Sequence, residues 1–215
     1  MKKSRLGLLQ TQILEILNKS ELDKFELENL PKASTIYTDD IKIVILKSGL
    51  AKLSFFEEGE EFILYHLQND NIAVLDENCV IEILEDSKIY LIDAEKSAEI
   101  LGNASFARAF YKALLNVITL QNQIIKSILF EDAKGRIANF LIELANEQDL
   151  KQNGYHYVFL SFSLKVLSSF VGLKRQSAST AFNELIKDDI IRKITPHEFL
   201  IIDYQKLQSY TSSNI

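Results

Sequence analysis

The residues best suited to contact another molecule lie in the stretch VGLKRQSASTAFNEL, residues 171–185. After Gly172 this stretch has basic and short polar side chains where a core helix would have apolar ones. An arginine can pair bidentately with guanine and a glutamine with adenine, while lysine, serine and threonine bind phosphate oxygens. The candidate DNA-contacting residues are Lys174, Arg175, Gln176, Ser177, Ser179 and Thr180.

A helix-turn-helix is the element that would point these side chains outward. It needs apolar residues that hold two helices together and a turn residue that accepts a positive φ, which Gly172 supplies. Ser163 is the predicted N-cap of the first helix, and IIRKITPHEFLIID, residues 190–203, predicts two wing strands around Thr195. The predicted lock residues are Leu164, Leu167 and Val171 before the turn and Ala178, Phe182 and Leu185 after it.

Short strand-like runs alternate with turn residues between about residues 41 and 92. IKIVILK precedes a predicted turn at Ser48–Gly49, LAKLSFF precedes EEGEE, FILYHL precedes QNDN, and VIEIL and KIYLI follow. Many short strands at close spacing are typical of a small sandwich, roll or barrel. The chain is therefore predicted to be an α+β protein with strands in its first part and helices after them.

A helical pattern without glycine or proline covers residues 104–129. Apolar positions along it repeat with the alternating steps of four and three that two parallel helices need. Two interpretations stay open, because this face could pack on its own domain or pair with the same helix of a second copy. The regular spacing favours the second, with the predicted dimer-interface residues Phe106, Phe110, Ala113, Val117, Leu120 and Ile124.

Composition limits the classes of function. The 215 residues are 47% hydrophobic, contain one cysteine and carry a formal net charge of -6 at pH 7. One cysteine cannot form an internal disulfide, which fits a reducing cytoplasm. The first residues do not predict an export signal, and no uninterrupted apolar run of about 18 residues predicts a membrane span. Without a glycine-rich phosphate loop, a cysteine with a placed histidine or metal-ligand spacing, an enzyme is not expected.

These segments resemble the Crp/Fnr family of transcription regulators. ILKSGLAKLSFFEEGEEFILYHLQNDNI is similar to the family's β-roll, DAKGRIANFLIELA to its first helix after the hinge, and FSLKVLSSFVGLKRQSASTAFNELIKDDIIRKI to its helix-turn-helix. The resemblance implies a cupin-like sensory β-roll of the cyclic-nucleotide-binding-domain type (1–103), a long dimerisation helix (104–130) and a winged helix-turn-helix (131–215). It also implies a cytoplasmic homodimer that binds a double-stranded DNA operator, with RNA polymerase as a further candidate partner and no role at a membrane.

Departures from the family pattern bear on the cofactor. Members that bind a cyclic nucleotide carry a turn glycine, a short helix and an Arg-Ser pair, whereas here Ala73 replaces the glycine and Glu77 and Asn78 lie near the pair. An acid in place of the phosphate-binding cation argues against a cyclic nucleotide. The single thiol of Cys79 cannot hold an iron-sulfur cluster, and a buried apolar role is expected for it. His66 is a candidate haem ligand, although strand histidines more often serve packing or hydrogen bonding.

The base-reading positions of the family also differ in this chain. Many members carry Arg-Glu-Thr-x-x-Arg, whereas here Arg175 is matched, Gln176 replaces the glutamate and Thr180 replaces the second arginine. Glutamine with adenine and threonine with a thymine methyl would favour an A/T-rich half-site. The predicted function is a sequence-specific, homodimeric transcription regulator whose N-terminal domain controls DNA affinity. The alternative is an effector-binding or protein-interaction module that no longer binds DNA.

Overall fold

The structure, a computed structural model, describes residues 5–6, 8, 13–17, 19–93, 95–97 and 101–211. It contains two compact units, one of Arg5–Gln121 and one that begins at Asn122. The division falls inside the longest helix, so that helix contributes residues to both units.

The first unit is built mainly from an antiparallel sheet. Its described elements are α1 (Ile13–Ile16), α2 (Lys19–Leu22), β1 (Glu26–Leu30), β2 (Thr35–Ile36), β3 (Lys42–Glu57), β4 (Glu60–Leu67), β5 (Ile72–Leu75) and β6 (Cys79–Asp93). The sheet order is β1-β6-β3-β4, with β2 paired to β6 and β5 paired to β3. In the first half of β6 alternate side chains such as Ile81 and Ile83 are buried, and with Leu53 of β3 they form part of the apolar interior.

Strand β3 continues through the predicted turn at Ser48–Gly49, so that prediction was wrong. Its register against β6 shifts between Leu46 and Ala51. Gly49 has a φ of 103°, and a Cβ at this position would lie 2.2 Å from the Ser87 Oγ. A bulge in a continuous strand and a turn both need a residue that accepts positive φ. The glycine at position 49 therefore predicted a turn where the structure has a bulge. The runs VIEIL and KIYLI likewise belong to one strand, β6.

The long helix α3 (Ala104–Phe130) follows the sheet, as the sequence predicts. Its first turns pack into the core of the first unit, where Phe106, Phe110 and Ala113 join a cluster that includes Ile45 and Tyr90. Polar residues interrupt each of its apolar runs, yet in length and overall composition α3 is apolar enough to cross a membrane. Within its most apolar stretch, 33% is buried inside the protein.

The second unit continues with helices around a small sheet. Its further elements are α4 (Ala133–Gln148), β7 (Leu150–Gln152), β8 (Tyr155–Phe159), α5 (Leu164–Val171), α6 (Arg175–Lys187), β9 (Ile191–Lys193), β10 (Glu198–Ile201) and α7 (Tyr204–Ser209). The strands form an antiparallel sheet in the order β7-β8-β10-β9. In the core, the rings of Phe140 from α4 and Phe170 from α5 lie 5.4 Å apart. The predicted winged helix-turn-helix is therefore confirmed.

Candidate nucleic-acid interface

The turn of the helix-turn-helix is built as the sequence predicts. Ser163 caps α5, its side chain accepting a hydrogen bond from the Val166 N–H at 3.5 Å. Gly172 ends α5 in the left-handed region with a φ of 63°. The Leu173 N–H then donates to the Ser168 carbonyl at 3.0 Å. A residue with a Cβ would be strained at Gly172, so the glycine allows the chain to reverse direction between the two helices.

Apolar packing fixes the inner side of α6. Of the predicted lock residues, Leu164 is half-buried and the others are buried: Leu167, Val171, Ala178, Phe182 and Leu185. Phe182 also meets Phe199 of β10 edge to face, with 5.0 Å between the ring centroids. These contacts hold α6 against both α5 and the wing, and its other side faces outward as a result.

The outer side of α6 carries most of the candidate DNA-contacting residues. Ser179 is half-buried, and the remaining candidates are exposed: Lys174, Arg175, Gln176, Ser177 and Thr180. Lys174 is the N-cap of α6, and its side chain makes no capping hydrogen bond. A lysine side chain has only hydrogen-bond donors, so it cannot cap the helix as an acceptor would. The positive end of the helix dipole thus lies at the cationic residues Lys174 and Arg175. This arrangement suits a phosphate group.

Thr180 and Ser179 differ in what they offer to a ligand. The Thr180 hydroxyl donates to the Gln176 carbonyl of its own helix at 3.0 Å. With the hydroxyl engaged, the methyl group is the part of Thr180 that remains for an apolar contact. Ser179 was predicted on the same outward arc, but its half-buried position makes it the least accessible member of the candidate set.

The wing adds two cations to which the sequence reasoning gave no role. Arg192 and Lys193 are exposed at the end of β9. Arg192 forms an exposed ion pair with Asp189 at 3.2 Å. The signal for them was present as a basic pair at the start of the predicted wing. This unit therefore carries exposed cationic side chains on the wing as well as at the start of α6.

Acidic groups at the far end of α6 are paired inside the head. Lys134 of α4 lies 2.8 Å from a Glu184 carboxylate oxygen and 3.7 Å from one of Asp188. The hydrogen bond with Glu184 raises the pKa of Lys134 above its ordinary value. These contacts tie α4 to the C-terminal half of α6 and leave the N-terminal half with its positive charge.

The predicted dimer-interface residues do not form a free surface. All six are buried within a single chain: Phe106, Phe110, Ala113, Val117, Leu120 and Ile124. The first three belong to the core of the first unit, so the chain itself covers the start of this face. The alternative interpretation, a helix that packs on its own domain, accounts for the start of α3.

A different face of α3 is apolar and exposed. It comprises Tyr111, Leu115, Ile118, Ile125 and Leu129, whose side chains are between 42% and 67% exposed. Asn122, also exposed, fills the gap in the middle of this exposed stripe. The steps along it are again four and three, which is the spacing of a coiled-coil contact. Two stripes of equal period thus run along one helix, and the structure shows which of them the chain itself covers.

In the first unit, a tight turn joins β5 to β6 in the segment where the sequence departs from the cyclic-nucleotide pattern. Strand β5 ends at Leu75 and β6 begins at Cys79, with Ala73 buried in β5. The Asp76 carboxylate accepts a hydrogen bond from the Asn78 N–H at 2.9 Å, and the Glu77 side chain is exposed. The connection leaves no residues for a short helix followed by a cation.

A charged cluster surrounds His66, the candidate haem ligand. Lys52 lies opposite His66 across β3 and β4, and its ammonium group contacts Glu61 at 2.7 Å and Glu82 at 2.9 Å. Burial, together with the Lys52 charge, lowers the pKa of His66 to about 4. The imidazole is therefore neutral at pH 7 and lies opposite the paired Lys52 in the sheet.

Cys79 is buried in β6. Burial, with a further contribution from Asp76, raises the pKa of its thiol to about 12. The thiol thus stays protonated and inert, as expected of a small apolar residue. Across the part of the chain that the structure describes, no group of three or more His, Cys, Asp and Glu residues is placed to hold a metal ion.

Known proteins share this architecture. Residues 135–210 match the model of the Crp-like helix-turn-helix domain. A CooA mutant from Carboxydothermus hydrogenoformans has the same fold over 97% of both chains, with a TM-score of 0.81 and 24% identity. A protein from Eubacterium rectale described as a regulator of the crp/fnr family matches over 92% of this chain and 96% of its own, with a TM-score of 0.65 and 18% identity. Residues 135–210 therefore form a Crp-like helix-turn-helix domain, and the whole chain has the fold of Crp/Fnr regulators.

A further protein of similar structure is the global regulator CLP from Xanthomonas campestris. It covers 89% of this chain and 99% of its own, with a TM-score of 0.69 and 15% identity. No curated protein matches the chain in sequence. The match of residues 135–210 indicates a DNA-binding helix-turn-helix unit of the kind found in Crp-type transcription regulators.

Proposed function

We propose that the protein is a homodimeric regulator that recognises a specific DNA sequence with α6 and whose first unit, Arg5–Gln121, adjusts its DNA affinity. The observation that carries the proposal is the outer face of α6. Lys174, Arg175 and Gln176 stand exposed at the positive end of a helix whose inner face is fully packed. A recognition helix enters the major groove with its N-terminal residues toward the bases.

The side chains divide between reading bases and holding phosphates. Arg175 and Gln176 reach base edges, where they pair with guanine and adenine. Lys174 and Ser177 hold phosphates, which fixes the position of the helix without reading sequence. Thr180 offers its methyl group to a thymine, since its hydroxyl bonds to the Gln176 carbonyl. The half-site is therefore expected to be richer in A/T than the family's usual one.

A second copy of the chain covers the exposed stripe of α3. Its five apolar side chains, each at least 42% exposed, follow a coiled-coil spacing that a parallel copy of the same helix matches. Burying them removes apolar surface that would otherwise face water. A single Asn122 inside such a seam would fix the register of the two helices at some cost in stability. The stripe also accounts for the apolar composition of α3 without a membrane.

The first unit is proposed to sense a signal other than a cyclic nucleotide. CLP is named as responsive to c-di-GMP, a ligand that also presents phosphodiesters. In this chain the turn of Asp76–Asn78 presents an exposed Glu77, whose negative charge would repel such a group. Cytoplasmic location and contact with RNA polymerase complete the proposal and rest on the resemblance to Crp/Fnr regulators alone.

Selection of bound sites from a random pool of DNA duplexes tests the function. Wild-type protein should enrich a two-fold symmetric motif, and gel retardation should show loss of affinity as salt rises. An Arg175→Ala/Gln176→Ala variant should bind the selected duplex and a scrambled duplex almost equally. If no duplex is retarded by wild-type protein at low salt, the protein is instead the module that no longer binds DNA.

A further inference from the structure

The connection between the long helix and the DNA-binding head is short and held by several hydrogen bonds. Only Glu131 and Asp132 separate α3 from α4. The buried Glu131 carboxylate accepts a hydrogen bond from the Ser127 hydroxyl. The backbone N–H of Glu131 donates to the Ser127 carbonyl at 3.0 Å. Asp132 caps α4 by accepting from the Gly135 N–H at 2.8 Å. The connection is thus a structured corner and not a flexible linker.

One side chain spans this corner and the turn of the helix-turn-helix. The Arg136 Nη2 donates to the Ile128 carbonyl at 2.7 Å, and its Nε donates to the Glu131 carbonyl at 3.1 Å. The Nη1 of the same guanidinium donates to the carbonyls of Gly172 at 3.1 Å and Val171 at 3.4 Å. Arg136 therefore joins the end of α3 to the end of α5, two residues before Lys174.

The chemistry of these contacts lets Arg136 fix the orientation of α5 relative to the end of α3. The last carbonyls of a helix lack partners within it, and the C-terminal end carries a partial negative charge. Both α3 and α5 present such ends to one cation. A guanidinium has five donors in a fixed planar fork, so it fixes the angle between its acceptors as well as their distance.

We propose that Arg136 is a positioning residue that locks each head to the end of the long helix and so sets the spacing of the two recognition helices in the dimer. The inference rests on the proposed function, since it concerns how two heads reach one operator. A head locked in this way meets its half-site at a high effective concentration once the other head is bound. A loose head would bind its own half-site as well as before but would lose that advantage.

Distances between the two heads test the lock without DNA. Nitroxide labels at Lys187→Cys, in a Cys79→Ala background, report the separation of the heads in the dimer through pulsed electron paramagnetic resonance. A narrow distribution is expected for wild-type Arg136 and a broad one for Arg136→Gln. Lys134→Gln is the matched control, because Lys134 pairs with Glu184 and Asp188 inside the head, and its distribution should stay narrow.

A duplex with two selected half-sites and a duplex with one provide the second measurement. Arg136→Gln should lower the ratio of full-site to half-site affinity by about tenfold or more and leave half-site affinity within about twofold. Equal distance distributions in wild type and variant, or half-site affinity that falls as far as full-site affinity, would overturn the proposal. If Arg136→Gln fails to fold, Arg136→Lys keeps the charge without the fork, and a narrow distribution in that variant would also overturn it. Wild-type protein that binds no DNA refutes the function, and the distance measurement still tests Arg136.

Discussion

Replacing Ile118 by glutamate is the sharpest test of how two chains meet. Ile118 lies in the middle of the exposed stripe and is 52% exposed. In a single chain this side chain faces water, so the substitution leaves the folded monomer intact. In the proposed dimer it puts two carboxylates into an apolar seam.

The structure sets the size of the effect. Complete burial of an isoleucine side chain is worth about 1.5–3 kcal/mol. Because about half of Ile118 is still exposed in one chain, its burial in the seam contributes about 1 kcal/mol per chain and about 2 kcal/mol per dimer. Repulsion and desolvation of two facing carboxylates add to this loss. A total of about 3 kcal/mol or more corresponds to a dimer dissociation constant at least about 100-fold higher.

Sedimentation equilibrium over a series of protein concentrations measures that constant directly. Gln123→Glu is the control, since Gln123 is exposed and, at about 100° per residue, lies well round the helix from the stripe. It should leave the dimer unchanged, and thermal unfolding of both variants in dilute solution should match. The assignment of the seam is falsified if Ile118→Glu and Leu115→Glu both dimerise as wild type does.

Further predictions concern DNA reading, pH and register. Arg175→Ala and Gln176→Ala should each cost about 1–3 kcal/mol of binding free energy on the selected site and relax base preference there. Lys174→Ala should instead weaken binding to all duplexes alike and reduce the salt dependence by about one ion per head. Competition with scrambled duplexes at two salt concentrations separates base-reading from phosphate-binding residues. For pH, an unfolded histidine takes up a proton near 6.5, but folded His66 does so only near a pKa of about 4, because burial and Lys52 lower it. Stability should therefore fall as pH drops from 6.5 towards 4, by about 3 kcal/mol at most; denaturant titrations of His66→Gln should show a flatter profile, and an unchanged profile would count against the burial of the imidazole. Asn122→Leu should tighten the dimer, and a weaker dimer would place Asn122 outside the seam.

The helix-turn-helix could be predicted from sequence because its determinants are local. Gly172, the Ser163 cap and the spacing of Ala178, Phe182 and Leu185 all lie within residues 163–185, and the structure bears them out. Propensity, turn chemistry and burial agree over this segment, which is the condition under which sequence reasoning succeeds.

The sensory unit and the dimer seam depended on contacts that sequence spacing does not contain. Ala113 and Ile118 both belong to stripes with steps of four and three, and only the position of the sheet decides that Ala113 is covered by its own chain. The ion pairs of Lys52 join three strands, so they required the register of β3 with β4 and β6. Gly49 fitted a turn and a bulge equally well, because both use its positive φ.

The β3–β6 pairing has a consequence for how the chain acquires its structure. The ladder runs from Phe55 opposite Cys79 to Lys42 opposite Asp93, where the two partners are 51 residues apart in sequence. Closing such distant pairs costs more chain entropy than forming the local contacts of α5 and α6, so the ladder is expected to form slowly. During synthesis the sheet leaves the ribosome before the helix-turn-helix but is expected to fold after it. Until it folds, its unpaired strand edges are a surface that chaperones would need to protect.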